Sequence, residues 1–235
     1  MQRDLWIDIR LNKEHIDFLN EAISKENKKS LSEHLAGNIS KSEIIEDKDN
    51  WFLKSVVKEL SERLFYRDWD NFSKYHIEVE VGVPLPEFKM NRFWVNYQKK
   101  HEFNPIHDHN GLFSFVVFMK IPTHWKDQHA LPISVNSNAP VASDFAFVWS
   151  EKDKEACTPY NIPLSSEDEG RMLFFPGWLQ HMVYPFYECE EERITISGNI
   201  IIEDPNVNYY EEKKNMLKMM EYDVQQAKDE LKQMK

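Results

Sequence analysis

The sequence is short of cysteine, of cations and of long apolar runs, and each shortage removes a class of protein. Two cysteines, Cys157 and Cys189, stand in 235 residues, and neither belongs to a Cys-x-x-Cys pair. They cannot build a disulfide framework, so two free thiols in a reducing cytosol are expected. No apolar stretch approaches the roughly 20 residues that cross a bilayer. The first residues, MQRDLWIDIRLNKEH, alternate charged and apolar side chains and contain no apolar signal region. A soluble, cytoplasmic protein with no membrane partner is therefore expected. Lys and Arg number 29 against 40 Asp and Glu, for a formal net charge of −11. That field repels phosphate backbones, and no basic run offsets it locally, which argues against nucleic acid as a partner. Repeats and low-complexity segments are absent too.

What the chain does have is apolar and aromatic bulk. It is 41% hydrophobic, with 7 Trp, 9 Tyr and 15 Phe, enough for a real core. The first quarter carries helical spacing. Ile16, Leu19, Ala22 and Ile23 share a face behind Asn12, a candidate N-cap, and Phe52, Val56, Leu60 and Leu64 form a second such face. The segment LAGNIS between them reads as a turn. The period then changes to two. HIEVEVGV, RFWVNYQ, DFAFVW, RMLFFP and RITISGNIII read as strands, and LFSFVVFMKIP is apolar enough to be buried on both faces. Residues 123–170 are irregular apart from DFAFVW, and a stretch of that length is more often functional than idle. After Asn206, Leu217, Met220, Val224, Ala227, Leu231 and Met234 alternate spacings of three and four, which predicts a long helix. It either packs back onto the body or pairs two chains into a homodimer. Helices first and strands afterwards, without βαβ alternation, predict a β sandwich or barrel with helical flanks.

The segment FNPIHDHNG, residues 103–111, places two histidines around an aspartate. In an extended chain His107 and His109 point one way and Asp108 the other, and Asn104-Pro105 favours an extended approach. Two imidazoles from one segment offer a two-point metal grip. A third ligand has to come from elsewhere. His181 has the strongest context, since in RMLFFPGWLQHMVYPF an apolar strand ends in Pro-Gly and the histidine comes in the next turn. A cluster of ordinary polar histidines is the competing reading. In RITISGNIII one face carries Ile194, Ile196, Ile200 and Ile202, and the other carries Arg193, Thr195, Ser197 and Asn199. The polar row either faces solvent or faces the interior. If interior, it brings toward the metal a guanidinium whose fork matches a carboxylate.

These segments, with LAGNI, RFWVNY and NPIHDHNGLFSFVVFMKIP, resemble a 2-oxoglutarate/Fe(II)-dependent oxygenase. The resemblance is to a subfamily, common in phage and marine bacterial genomes, that is distantly similar to prolyl hydroxylases. It implies a mainly β fold with flanking α elements. The core would be a double-stranded β-helix, or jelly roll, with N-terminal helices and a long C-terminal helix. The oxygenase domain would span 1–204, with a helical part about 1–72, a jelly-roll core about 73–204, and the C-terminal helix at 205–235. His107 and His181 match the first and last metal positions, and His109 stands where the family usually has a carboxylate. Arg193 matches the arginine that holds the far carboxylate of 2-oxoglutarate. Thr195 sits where relatives carry a serine, Asn199 continues the row, and Tyr97 matches a tyrosine that binds the same carboxylate or is a core aromatic. Asn96, Trp125, Trp149 and Trp178 are candidate substrate-pocket residues, with Tyr160 as a further wall, or ordinary packing.

The activity so implied is hydroxylation of a prolyl or other protein side chain, or of a small molecule, with O2 consumed and succinate and CO2 released. Two rivals use the same histidines: a zinc hydrolase or lyase, because three histidines with an open position also suit catalytic zinc, and a non-catalytic metal-binding jelly roll that serves assembly.

Overall fold

Asn12 starts the first helix, its side chain accepting from the His15 amide at 3.0 Å. Helix α1, Lys13–Ser24, then buries Leu19 and Ala22. A second helical stretch is capped by Asp47, whose carboxylate accepts from the amides of Phe52 and Leu53 at 2.8 and 2.9 Å. One wide π turn at Leu53–Val57 leads into α2, Lys58–Arg67. The face expected from its spacing is the buried one: Phe52, Val56, Leu60 and Leu64 are all 6% exposed or less. The computed structural model describes residues 5–25, 29–31, 36–67, 87–150 and 157–203. HIEVEVGV, the boundary near residue 72, and the C-terminal helix with its dimer seam lie outside these residues. No described helix is long and apolar enough to cross a membrane, and Cys157 and Cys189 are free.

The strands are β1 (Ile7–Arg10), β2 (Lys41–Ile44), β3 (Glu87–Gln98), β4 (Asn104–His107), β5 (Phe113–Lys120), β6 (Phe145–Ser150), β7 (Cys157–Ile162), β8 (Arg171–Pro176), β9 (Gln180–Val183) and β10 (Arg193–Glu203). A short helix α3, Trp125–Ala130, comes after β5. The strands form a six-stranded sheet in the order β1-β8-β5-β10-β3-β2 and a four-stranded sheet in the order β4-β9-β6-β7. β5 pairs antiparallel with β8 and β10, and β6 with β7 and β9. This is a mainly β architecture of two antiparallel sheets with few helices, as a jelly roll requires.

The core lies between the sheets. Val116, Phe118, Leu173 and Phe175 from the large sheet meet Phe145, Phe147 and Ile162 from the small one. The Phe147 and Phe175 rings, 5.0 Å apart, bridge the two layers. Each buried phenylalanine contributes about 1.5–3 kcal/mol. The other face of the large sheet is covered by helix. Phe52 packs within 5.9 Å of Phe93 and 5.8 Å of Phe115. β5 is therefore buried on both sides, as its unbroken apolar run predicts.

The register of β10 decides where its polar row points. Thr195 lies opposite Phe118, Ser197 opposite Val116 and Asn199 opposite Ser114. Directly opposed residues of an antiparallel pair share a face, so the row looks into the sandwich rather than at solvent. Ile196 and Ile200, fully buried, face the other way. Two local expectations need correction. The irregular 123–170 stretch also contains α3, β7 and a 3-10 turn at Ser166–Asp168. His181 is not in the turn after Pro-Gly. That turn closes with the Leu179 amide on the Pro176 carbonyl at 2.9 Å, and His181 is the second residue of β9.

Candidate metal centre

The end of β4 and the whole of β9 run side by side, with His107 directly opposite His181. Their rings are 4.2 Å apart between centroids. His109 stands two residues after His107, and its amide is held by the Gly177 carbonyl at 2.9 Å. A Cβ on Gly177 would lie 2.1 Å from the Gly111 carbonyl oxygen and 3.0 Å from that of His109. The glycine is therefore what lets the His109 segment sit against the β8–β9 turn. Period-two alternation does the rest: His107 and His109 are turned inward, while Ile106 and Asp108 are exposed.

The three imidazoles each offer a ligand nitrogen, all within 4.8 Å of one another. The Nδ1 of His107 lies 2.8 Å from the Pro105 carbonyl and that of His181 lies 3.0 Å from the Leu179 carbonyl. A carbonyl can only accept, so both Nδ1 atoms carry the hydrogen and both Nε2 atoms keep a lone pair. His109 Nε2 and His181 Nε2 are 3.2 Å apart. Two nitrogens at about 2.1 Å from one ion, at angles between octahedral and tetrahedral, fall close to that separation. Burial pushes all three imidazoles down, His109 to about 3 and His181 well below the ordinary histidine value, and the neighbouring rings push His109 and His181 further. The site is thus three neutral donors. Phe145 and Phe175, 5.7 and 4.9 Å from the His181 ring, form its apolar floor. Trp94 stands 5.8 Å from the His109 ring.

Arg193 heads the inward row of β10 and is 1% exposed. Its Nη2 donates to the carbonyl and the hydroxyl of Ser143, and its Nη1 reaches Gln98 Oε1 at 3.4 Å. The guanidinium carbon lies 5.2 Å from the Phe186 ring centre. Burial lowers its pKa to about 10, and the charge of Asp144 pulls it back up. Its Nε is buried with no hydrogen-bond partner. An orphaned cationic donor of this kind is costly alone and fits a carboxylate.

The remaining expected residues are spread out. Thr195 and Asn199 share the inner face with Arg193, and Asn199 Oδ1 accepts from the Ser114 hydroxyl at 3.1 Å. Asn96 accepts from Ser42 at 2.7 Å. Tyr97 is on the wrong face for a cosubstrate ligand. Gln98 meets Arg193 and Trp94 meets His109, so even-numbered residues of this stretch of β3 face the other sheet, while Tyr97 lies on the opposite face as a core aromatic, 8% exposed, with the Lys41 ammonium 4.1 Å over its ring. Trp125, at the start of α3, stacks on His124 and meets His129 edge to face. Trp149 packs with Trp6 and Tyr160, and Trp178 leans on the core. Sequence reasoning did not single out Gln98, Ser143, Asp144 or Trp94. Only alternation within RFWVNYQ could have found any of them, by pairing Trp94, Asn96 and Gln98.

Residues 92–199 match a family described as "Putative 2OG-Fe(II) oxygenase". No curated protein is similar to the chain in sequence. Among solved structures it is similar to the non-heme alpha ketoglutarate dependent carbocyclase SnoK from nogalamycin biosynthesis, with a TM-score of 0.51 and 10% identity over 87% of this chain and 85% of that one. It is also similar to a 2OG-Fe(II) oxygenase family oxidoreductase from Burkholderia pseudomallei, with a TM-score of 0.49 and 10% identity over 85% of this chain and 86% of that one. A prolyl-4-hydroxylase from Pseudomonas putida gives a TM-score of 0.49 and 11% identity over 85% of this chain and 93% of that one. At such identities the likeness to SnoK speaks for the shared fold alone. The family match covers less than half of the chain, but within it lie His107, His109, His181 and Arg193, and over that stretch the chain is similar to 2-oxoglutarate/Fe(II)-dependent oxygenases.

Proposed function

We propose that the chain hydroxylates a side chain of a protein, a prolyl residue first among them, at an iron held by His107, His109 and His181. The observation that carries the metal reading is the convergence of three neutral Nε2 donors, two of them fixed by Nδ1 bonds to backbone carbonyls. The prolyl reading rests on the resemblance of the sequence to prolyl hydroxylases, and a small-molecule substrate is its rival. The catalytic unit on this reading is residues 1–204, with 205–235 as a separate helix.

Bound Fe(II) supplies the oxidation, coupling decarboxylation of 2-oxoglutarate by O2 to hydroxylation of the substrate. Everything else falls to the chain. Arg193 receives the far carboxylate through its unpaired Nε, and Thr195, next on the inner face, lies toward the histidines from it. Phe145 and Phe175 keep water from the back of the centre. His107 and His109 are only half-buried beside the buried His181, and a substrate would approach from their side. Asp108, exposed, plays no part. The test is anaerobic reconstitution with Fe(II) and 2-oxoglutarate, then exposure to O2 with peptide and metabolite pools. Succinate together with a product heavier by one oxygen is the expected result. Iron binding without any succinate would defeat the reading.

A further inference from the structure

Asn104, the first residue of β4, is not one of the three histidines, yet its side chain touches one of them. Its Nδ2 donates to His107 Nε2 at 3.4 Å. His107 Nδ1 gives its hydrogen to the Pro105 carbonyl, so this Nε2 carries the lone pair that a metal would use. The other end of the same amide is less well placed. Asn104 Oδ1 is buried and has no hydrogen-bond partner among the described residues, which is unfavourable for a carbonyl oxygen. Gly37 walls the amide in. A Cβ there would lie 2.4 Å from Oδ1 and 2.9 Å from Cγ. The Asn38 amide ties that bend to β4 through the Phe103 carbonyl at 2.9 Å. Asn104 can reach His107 only because position 37 carries no side chain.

An ion at the histidines takes the His107 lone pair away from Asn104, and the Nδ2 hydrogens would then face a cation. A half turn of the amide exchanges its two ends, which have nearly the same shape. It puts the unpartnered Oδ1 where Nδ2 stood. Two ligand atoms about 2.1 Å from one ion, at angles between octahedral and tetrahedral, lie roughly 3.0–3.4 Å apart. The 3.4 Å from this end of the amide to His107 Nε2 falls at the upper end of that range. The donor chemistry agrees. Three neutral imidazoles lack the oxygen ligand that open non-haem iron sites usually include, and an amide oxygen can supply one.

We propose that Asn104 Oδ1 is a fourth, displaceable ligand of the ion held by His107, His109 and His181. This rests on the reading of those histidines as the metal centre of a 2-oxoglutarate-dependent enzyme. That reaction needs the three remaining octahedral positions for 2-oxoglutarate and O2. The amide therefore coordinates while the cosubstrate is away and yields its position when the cosubstrate chelates. Displacement has a thermodynamic signature. With the cosubstrate bound, the ion no longer depends on residue 104. Whatever affinity the amide adds for the ion, it must subtract from that of 2-oxoglutarate by the same factor.

The experiment titrates the metal-free full chain anaerobically with Co(II), then with 2-oxoglutarate. Chelator competition gives the metal affinity, and the visible absorption bands report the ligand set. Asn104→Ala should bind Co(II) about tenfold more weakly than wild type, with altered bands. Its Co(II) form should bind 2-oxoglutarate more tightly by the matching factor. Asn104→Asp offers an anionic oxygen of nearly the same shape and should shift both affinities in the opposite direction. With 2-oxoglutarate saturating, the bands of wild type and Asn104→Ala should coincide. A side chain that merely packs against Gly37 gives another pattern: Asn104→Ala lowers the Tm of the metal-free chain and keeps wild-type Co(II) bands and affinity. That result, or weaker Co(II) binding in Asn104→Ala without tighter 2-oxoglutarate binding, overturns the proposal alone. Should Asn104→Ala fail to fold, wild-type Co(II) bands and affinity in Asn104→Asp overturn it equally. A wild type that binds no Co(II), or whose Co(II) form binds no 2-oxoglutarate, sinks the reading on which the proposal rests.

Discussion

At the scale of single residues, the candidate metal centre offers three histidines and no spare histidine, cysteine or carboxylate among the described residues. His181 is 4% exposed, and its Nε2 faces that of His109, so His181→Ala should lower iron content from near one per chain by about tenfold or more, read by metal analysis. Asp108, turned to solvent, gives the contrasting outcome: Asp108→Asn should keep both iron and 2-oxoglutarate turnover, while His109→Ala loses both. Arg193→Leu should keep the iron and weaken 2-oxoglutarate binding by on the order of a hundredfold, about 3 kcal/mol, read by anaerobic titration. Unchanged binding in that variant would remove the arginine from the cosubstrate. His107, His109 and His181 can be picked from the sequence because i and i+2 must share a face and because an apolar strand ending in Pro-Gly turns the next residues back toward the same end of the sheet. Ser143 and Asp144 cannot. They meet Arg193 and His129 across separate segments, and no local period marks a polar residue that tertiary packing buries.

Among the elements, legibility tracks composition. RMLFFP shows the bounds of β8 because Arg171 opens it and Pro176-Gly177 closes it. RITISGNIII shows β10, but its inward face depends on register with β5, which one strand alone does not encode. CTPYNI does not read as a strand because Pro159 argues against one, and a proline is tolerated here only because β7 is the outer strand of its sheet. β9 reads as a turn since it is four residues long. Gly177 supplies the test at this scale. The added methyl of Gly177→Ala meets the Gly111 carbonyl at 2.1 Å, so the His109 segment has to move. The variant should fold, with weaker Co(II) or Fe(II) binding and an altered Co(II) absorption spectrum. For α1, Asn12→Ala removes the N-cap and should cost about 1 kcal/mol, seen as a lower Tm with metal affinity unchanged.

For the molecule as a whole, strand order carries a consequence for biosynthesis. β10 lies between β5 and β3 in the large sheet, yet it is the last of the described strands to leave the ribosome. The outer strand β1 is the first to emerge and must wait for β8. Its Arg10 bonds the carbonyl of Glu169, 159 residues further along. A nascent chain released up to Glu192 has made all three histidines, but β5 and β3 still lack the strand they share. Long-range pairing of this kind forms slowly and late. Iron capture should therefore wait until β10 has been made. Ribosome-stalled chains of increasing length should acquire protease resistance and metal together, in one step, only once β10, which ends at Glu203, has cleared the exit tunnel.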